Sequence, residues 1–166
     1  MGAHELREGE FLVSDERSLL DFGVVHGFLS ECHWSKGIPR AVVEKAAANS
    51  VTFGVYATGG GRCEQVGYAR VVSDLATYAY VADVFVLEAW RGRGLSKLLM
   101  RAIVAHPELQ GLRRWMLMTR DAHGLYAQFG FTGLVDPSRA MERLDQRVYE
   151  RGAAGAGEGN AGGSSA

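Results

Sequence analysis

The stretch from Tyr78 to Ile103 constrains the fold more than any other part of the sequence. Tyr78 to Leu87 is rich in β-branched and aromatic residues, the pattern of a strand buried at the centre of a sheet. The turn Arg91-Gly92-Arg93-Gly94-Leu95-Ser96 follows. Leu95, Leu98, Leu99, Ala102 and Ile103 then fall at i, i+3, i+4, i+7 and i+8, the apolar face of an amphipathic helix that Pro107 stops. A buried strand passing so directly into such a helix calls for an α/β domain with helices on the faces of a sheet.

The remaining elements are read around that unit. Phe11 to Ser14 is a short first strand, and Ser14 or Asp15 can cap a helix to Glu31 with Leu20, Val24 and Phe28 on one face. Pro39 suits the start of a second helix, whose apolar side is Val42, Val43, Ala46 and Ala47 and whose stop is Asn49. Val51, Phe53 and Val55 alternate as in a strand, and Gly59-Gly60-Gly61 turns the chain into a partner over Cys63 to Ser73. Trp115 to Thr119 is the next strand. Asp121 is placed to cap a short helix that ends at Gly130, and Phe131–Leu134 and Met141–Leu144 supply two last strands. The predicted order is β-α-α-β-β-β-α-β-α-β-β: a mixed, largely antiparallel sheet flanked by about four helices. Residues 5–150 form this folded unit. Residues 151–166, nearly all Gly, Ala and Ser, bury too little surface to offset their ordering entropy and read as a flexible tail.

Composition narrows the function classes. The 18 Lys and Arg nearly balance the 19 Asp and Glu, so nothing in the overall charge points to nucleic acid. No apolar run is long enough to span a bilayer, and the first residues lack the apolar segment of a secretory signal. Cys32 and Cys63 make neither a disulfide framework nor a metal box. A cytoplasmic protein without a bound metal is the expectation.

In this balanced chain the glycine turn concentrates anion-binding groups. A helix N-terminus offers unpaired N–H groups and partial positive charge. Gly92 and Gly94 let the backbone take positive φ and approach an anion, Ser96 adds a hydroxyl, and Arg91, Arg93 and Lys97 add charge. These are the parts of a pyrophosphate cradle. The dinucleotide fingerprint is excluded, since its third glycine and its β-α-β unit are absent.

On these residues the chain resembles the GNAT acyltransferase superfamily, whose signature is Gln/Arg-x-x-Gly-x-Gly/Ala. Arg91 and Gly94 fill the first and fourth positions, and Ser96 stands where Gly or Ala is usual. Tyr126-Ala127-Gln128-Phe129-Gly130-Phe131 resembles the family's tyrosine-bearing last helix and the strand after it. The resemblance implies an N-acetyltransferase that passes the acetyl group of acetyl-coenzyme A directly to a primary amine of a small molecule, peptide or protein. It also implies a splay between Val84–Leu87 and Trp115–Thr119. Backbone groups of Phe85 and Val86 would then bond the pantetheine amides, and the N–H of Val84 or Val86 would polarise the thioester. Leu95 opens the helix of the cradle.

Tyr126 is the implied general acid toward the coenzyme A thiolate, and Asp83 a candidate base. Glu31 and His33 flank a loop that in this superfamily often borders the acceptor pocket. Trp34, with Lys36, suggests a lid there, since binding residues concentrate on loops. His123 could orient the site, and water could relay the proton. A route through an acyl-cysteine is disfavoured, because Cys32 and His33 are adjacent in sequence and adjacent side chains rarely face each other. A non-catalytic module that binds or senses acyl-coenzyme A is the competing reading. A homodimer stays open, because paired edge strands leave no sequence signature.

Overall fold

In the computed structural model, which describes residues 2–154, the strand and helix on either side of the turn form over Tyr78–Val86 and Leu95–Val104. The elements in chain order are β1 (Glu5–Glu8), β2 (Phe11–Ser14), α1 (Phe22–Glu31), α2 (Arg40–Ala48), β3 (Val51–Ala57), β4 (Glu64–Ser73), β5 (Tyr78–Val86), α3 (Leu95–Val104), β6 (Arg114–Leu117), α4 (His123–Ala127) and α5 (Val148–Ala154). The strands form one sheet in the order β1-β2-β3-β4-β5-β6. Pairing is antiparallel up to β5 and parallel between β5 and β6. That switch follows from the connection, since α3 returns the chain to the sheet edge at which β5 began. The fold is mixed α/β with a largely antiparallel sheet, as the sequence implies.

The two faces of the sheet bury separate cores. On one, α3 packs Leu95, Leu98, Leu99, Met100, Ala102 and Ile103 against Val13, Phe53, Val55 and Val71. A helix of 10 residues is marginal by itself in water. Each fully buried Leu or Ile contributes about 1.5–3 kcal/mol, so docking on the sheet is what holds α3. On the other face, Val25 and Leu29 of α1, Val43 of α2 and Ile38 of the loop between them pack with Tyr68 and Phe85. The centre of the buried stripe of α1 is therefore Val25 and Leu29, whereas the expected Leu20, Val24 and Phe28 are only half-buried.

Several boundaries differ from expectation, each for a local reason. Glu5–Glu8 is a strand, although its alternation is too polar to stand out; it forms a hairpin with β2 through Gly9 at φ 58°. Helix α1 starts later than expected. Its cap is Asp21, whose Oδ1 accepts from the N–H groups of Gly23 (2.8 Å) and Val24 (3.3 Å). Ser14 lies in β2, and the Asp15 carboxylate is drawn to His4 and His106 instead. Asp121 does not cap α4; the Thr119 hydroxyl accepts from the Ala122 N–H at 3.0 Å, and α4 starts at His123. Pro39 is the N-cap of α2 rather than its first residue.

The two last strands do not form. Phe131 turns inward against Trp115 and Tyr126, and Val135 and Met141 are fully exposed. Gly130 at φ 82°, Gly133 and Pro137 interrupt the extended run, and β6 offers only 4 residues to pair with. A cleft of about 860 Å³, lined in part by Tyr78, Leu112, Trp115, Phe131 and Met141, lies where those strands were expected. It sits at the N-terminal ends of β5 and β6. Helix α5 takes in residues 151–154 of the expected tail; the rest of that tail lies outside the described residues.

A buried polar cluster ties the N-terminus to the end of α3. His106 is 3% exposed, and its Nε2 lies 2.9 Å from Asp15 Oδ2 while its Nδ1 accepts from the Glu108 N–H at 3.3 Å. With Nδ1 accepting, the ring proton sits on Nε2 and is donated to Asp15. Asp15 Oδ1 also accepts from the His4 N–H at 2.7 Å. His106→Ala removes the donor and leaves a half-buried carboxylate short of a partner, which is expected to cost about 2 kcal/mol, read as a lower denaturant midpoint at unchanged slope.

Candidate active site

Strands β5 and β6 pair only over Tyr78–Val81 and Arg114–Leu117. β5 then runs on past the end of β6 through Val86, paired only with β4, which leaves its other edge over Ala82–Val86 without a neighbouring strand among the described residues. Both following connections, to α3 and to α4, leave from this open end. The crevice beyond the carboxyl ends of adjacent parallel strands is where α/β sheets bind ligands, because helix N-termini and loop residues converge there.

The departure of β5 has a visible cause. Tyr68 pairs with Phe85 and Arg70 with Ala82, so Ala69 alone on β4 faces both Asp83 and Val84 on β5. This two-against-one step is a β-bulge, and Asp83 takes φ 53° within it. The bulge turns Asp83 toward the α1–α2 side. There Oδ2 accepts from Arg70 Nε at 2.5 Å, and Oδ1 accepts from the Trp34 indole N–H at 3.3 Å. Phe85 points to the same side and stacks on Phe28, centroids 3.9 Å apart, with the Trp34 ring 6.2 Å from Phe28. The loop after α1 is thus held against the bulge. Ser35 anchors it by donating to the Leu29 carbonyl at 2.7 Å, with Cys32 Sγ beside the same hydroxyl at 3.0 Å. Cys32 is engaged in this scaffold, while Cys63 is exposed in the β3–β4 turn.

At the end of β5, Gly92 and Gly94 both take φ 77°, and Gly94 is the N-cap of α3 without a side-chain cap. A Cβ on either glycine would meet nothing within 4 Å, so conformation, not crowding, calls for glycine here, and the turn faces open space. The N–H groups of Gly92, Arg93, Gly94, Leu95 and Ser96 have no acceptor among the described residues; the first to be used are those of Lys97 and Leu98, which donate to the Gly94 carbonyl. Arg91 donates through Nε to the Val86 carbonyl at 3.1 Å, which pins the turn to its strand and occupies one carbonyl of the open edge. The Arg93 guanidinium lies 4.8 Å above the Trp90 ring. Lys97 is exposed and Ser96 half-buried on the first turn. Five free amides on a helix N-terminus, with two arginines and a lysine around them, fit a pyrophosphate.

Tyr126 lies on the other side of the crevice, in α4. It is 8% exposed and meets Phe131 edge-on at 6.0 Å, within the core that α3 covers. Burial, with a smaller contribution from the Asp121 charge, holds its phenol above the usual tyrosine range. No described residue hydrogen-bonds its hydroxyl. His123, Glu31 and His33 are exposed; the His33 ring meets that of Trp34 edge-on, centroids 4.9 Å apart. No group of three or more metal-ligating side chains is found among the described residues.

Comparison with known proteins gives this geometry a family. The model of the acetyltransferase (GNAT) domain matches residues 49–133. The chain belongs to the GNAT acetyltransferase family. A Gibberella zeae protein named "putative acetyltransferase" is 30% identical over 139 residues, which is 72% of this chain and 77% of that protein. Among solved structures, a "putative acetyltransferase belonging to the gnat family" from Xanthomonas campestris pv. campestris is 51% identical, covers 86% of this chain and 99% of its own, and has a TM-score of 0.80. A Deinococcus radiodurans protein at 20% identity, covering 87% of this chain and 94% of its own with a TM-score of 0.63, shares the fold.

The GNAT match runs from β3 past α4, so it takes in the bulge, the glycine turn and Tyr126, while α1, α2 and the Trp34 loop lie outside it. Sequence reading missed two neighbours of the site. Arg70 is one polar residue in a long strand, and Phe28 is one apolar residue on a helix. Only the pairing of β4 with β5 and the packing of α1 bring them to Asp83 and Phe85.

Proposed function

We propose that this GNAT domain is an N-acetyltransferase that takes the acetyl group of acetyl-coenzyme A and passes it directly to a primary amine. The observation that carries the reading is the row of free amides from Gly92 to Ser96 at the open end of the β5–β6 splay. Acetyl-coenzyme A supplies an acetyl group already activated as a thioester. The chain supplies the rest. Gly92–Ser96, with Arg91, Arg93 and Lys97, would hold the pyrophosphate, and the unpaired edge of Val84, Phe85 and Val86 would align the pantetheine arm as an added strand does. An amine arriving from the α1–α2 side would meet Asp83 and Trp34 first. Its nitrogen bonds to the carbonyl carbon and the carbon–sulfur bond breaks. The proton lost by the amine leaves through Asp83 or water, and Tyr126 donates one to the thiolate. Positioning is the larger contribution, since it turns a bimolecular encounter into a local one.

Calorimetric titration with coenzyme A tests the donor half. The wild-type chain should bind, and Gly94→Ala, which forces a Cβ into left-handed backbone at about 1–2 kcal/mol, should weaken binding roughly 10-fold or more. Failure of the wild-type chain to bind coenzyme A would overturn the reading. Binding without thiol release across a broad amine panel would favour a module that senses acyl-coenzyme A.

A further inference from the structure

On the acceptor side, two opposite charges lie next to each other. Arg70 and Asp83 are 21% and 14% exposed, and they meet through Nε alone. Neither Nη of Arg70 has a partner among the described residues. An arginine that only braces two strands has five donors available for the purpose, and a carboxylate is best held by two of them at once. Here the pair is engaged through one donor, and the rest of the guanidinium fork is left free beside the bulge. Tyr80, on the same face of β5, has its phenol raised chiefly by burial, and the charges of Tyr78, Arg70, Asp83 and Glu142 also act on it. Arg70 lies opposite Ala82, the next position on that face of β5 after Tyr80, and the bulge turns Asp83 to the same face, with Trp34 at the rim.

We infer that the acceptor is an amine carrying a carboxylate a few bonds from its nitrogen, an α-amino acid in the simplest case, with Arg70 as the residue that selects it. The inference rests on the acetyltransferase reading above. The free Nη groups take the carboxylate of the acceptor in a bidentate contact, and this places the nitrogen at Asp83, the residue of the bulge and hence the entrance to the thioester site. A zwitterion matches the pair in both charges: its carboxylate lies on the guanidinium and its ammonium on the aspartate. The ammonium must lose one proton to attack, and Asp83 or a water held by it receives that proton. The N–C bond then forms, the C–S bond breaks, and the thiolate is protonated from Tyr126; the second proton leaves the nitrogen as the amide forms, passing to water at Asp83, and solvent returns one to the Tyr126 phenol. Trp34, half-exposed and hydrogen-bonded to Asp83, covers the amino-acid side chain, which favours apolar and aromatic ones.

Paired acceptors test this. Each of the common amino acids is compared with its amide, with acetyl-coenzyme A as donor and thiol release as the readout. The amide is the sterner comparison, because its amine is less basic and so more often neutral at pH 7. The wild-type enzyme should prefer the carboxylate by about 10–100-fold in kcat/KM, the range that charge-assisted hydrogen bonds supply. In Arg70→Gln that preference should fall to within about 3-fold, mostly through the KM of the acid; Arg70→Lys should keep part of it. With coenzyme A present, a preferred amino acid should also raise the thermal midpoint of the wild-type chain and not that of Arg70→Gln. Equal use of amides and acids, or an equal fall of both in Arg70→Gln, overturns the inference and leaves Arg70 a brace for the bulge. So does the absence of turnover with every amino acid when coenzyme A still binds. Loss of coenzyme A binding by the wild-type chain overturns the donor reading instead.

Discussion

Tyr126→Phe should lower kcat about 100-fold while leaving the dissociation constant of coenzyme A within about 2-fold of the wild-type value. The two effects separate because the ring and the hydroxyl do different things. The ring is part of the core, edge-on to Phe131 at 6.0 Å, and phenylalanine keeps that packing. The hydroxyl has no hydrogen-bonding partner among the described residues, so its loss strands no buried group. On the proposed mechanism, what the variant loses is the proton for the leaving thiolate. General acids contribute about 10²–10⁴-fold, and the low end applies here. Burial raises the phenol above its ordinary value, which keeps it protonated at neutral pH but makes it a weaker acid toward a thiolate. The same shift sets the pH dependence. The active form is the protonated one, so kcat in the wild-type enzyme should hold up to about pH 10 and fall only above it, and Tyr126→Phe should lack that alkaline limb. Steady-state rates across pH, with calorimetry for coenzyme A, read both quantities. Unchanged turnover in Tyr126→Phe would remove the residue from the mechanism.

Gly54→Ala should be among the most destabilising of small substitutions, by about 3 kcal/mol, or roughly 6–12 °C in Tm for a chain of this size. Gly54 lies inside β3 with no unusual φ, so the reason is space rather than conformation. The Tyr56 ring lies back over it along the strand. A Cβ on Gly54 would sit 2.6 Å from Cε2 of that ring, with Cζ and the hydroxyl closer still. The ring has nowhere to go: Tyr56 is 1% exposed, its hydroxyl is buried without a partner, and burial raises its phenol above the usual range. Relief therefore requires the backbone of β3 to shift at the centre of the sheet. Thermal and denaturant unfolding read the effect. Gly54→Ala together with Tyr56→Leu, which removes the ring, should recover a good part of the loss; no recovery would show that the clash with Tyr56 is not the cause.

Much of the glycine turn and its flanking elements was legible in the chain because it is local. Five consecutive residues from Gly92 to Ser96, a buried strand before them and a 3.6-residue apolar period after them are contiguous, and each carries its own physical preference. The failures share a cause at the opposite extreme. Asp15 looks like a helix cap until His106, 91 positions on, competes for it. Phe131–Leu134 and Met141–Leu144 have strand composition, but a strand needs an edge to pair with, and β6 is too short to provide one. Glu5–Glu8 lacks strand composition and pairs nonetheless, because Gly9 folds it onto β2.

The acceptor side divides the same way. Asp83, Trp34 and His33 could be singled out by type and position, yet nothing along the chain joins Trp34 to Asp83, 49 residues on, or Asp83 to Arg70. By itself the sequence determined the strand, the glycine turn and the helix that follows it, since glycine conformation, apolar period and charge act over a few bonds. Which side chains meet Asp83 was decided only by tertiary structure. The bulge at Asp83 is set by the register of β4 against β5, and a register is a property of two strands that neither carries alone.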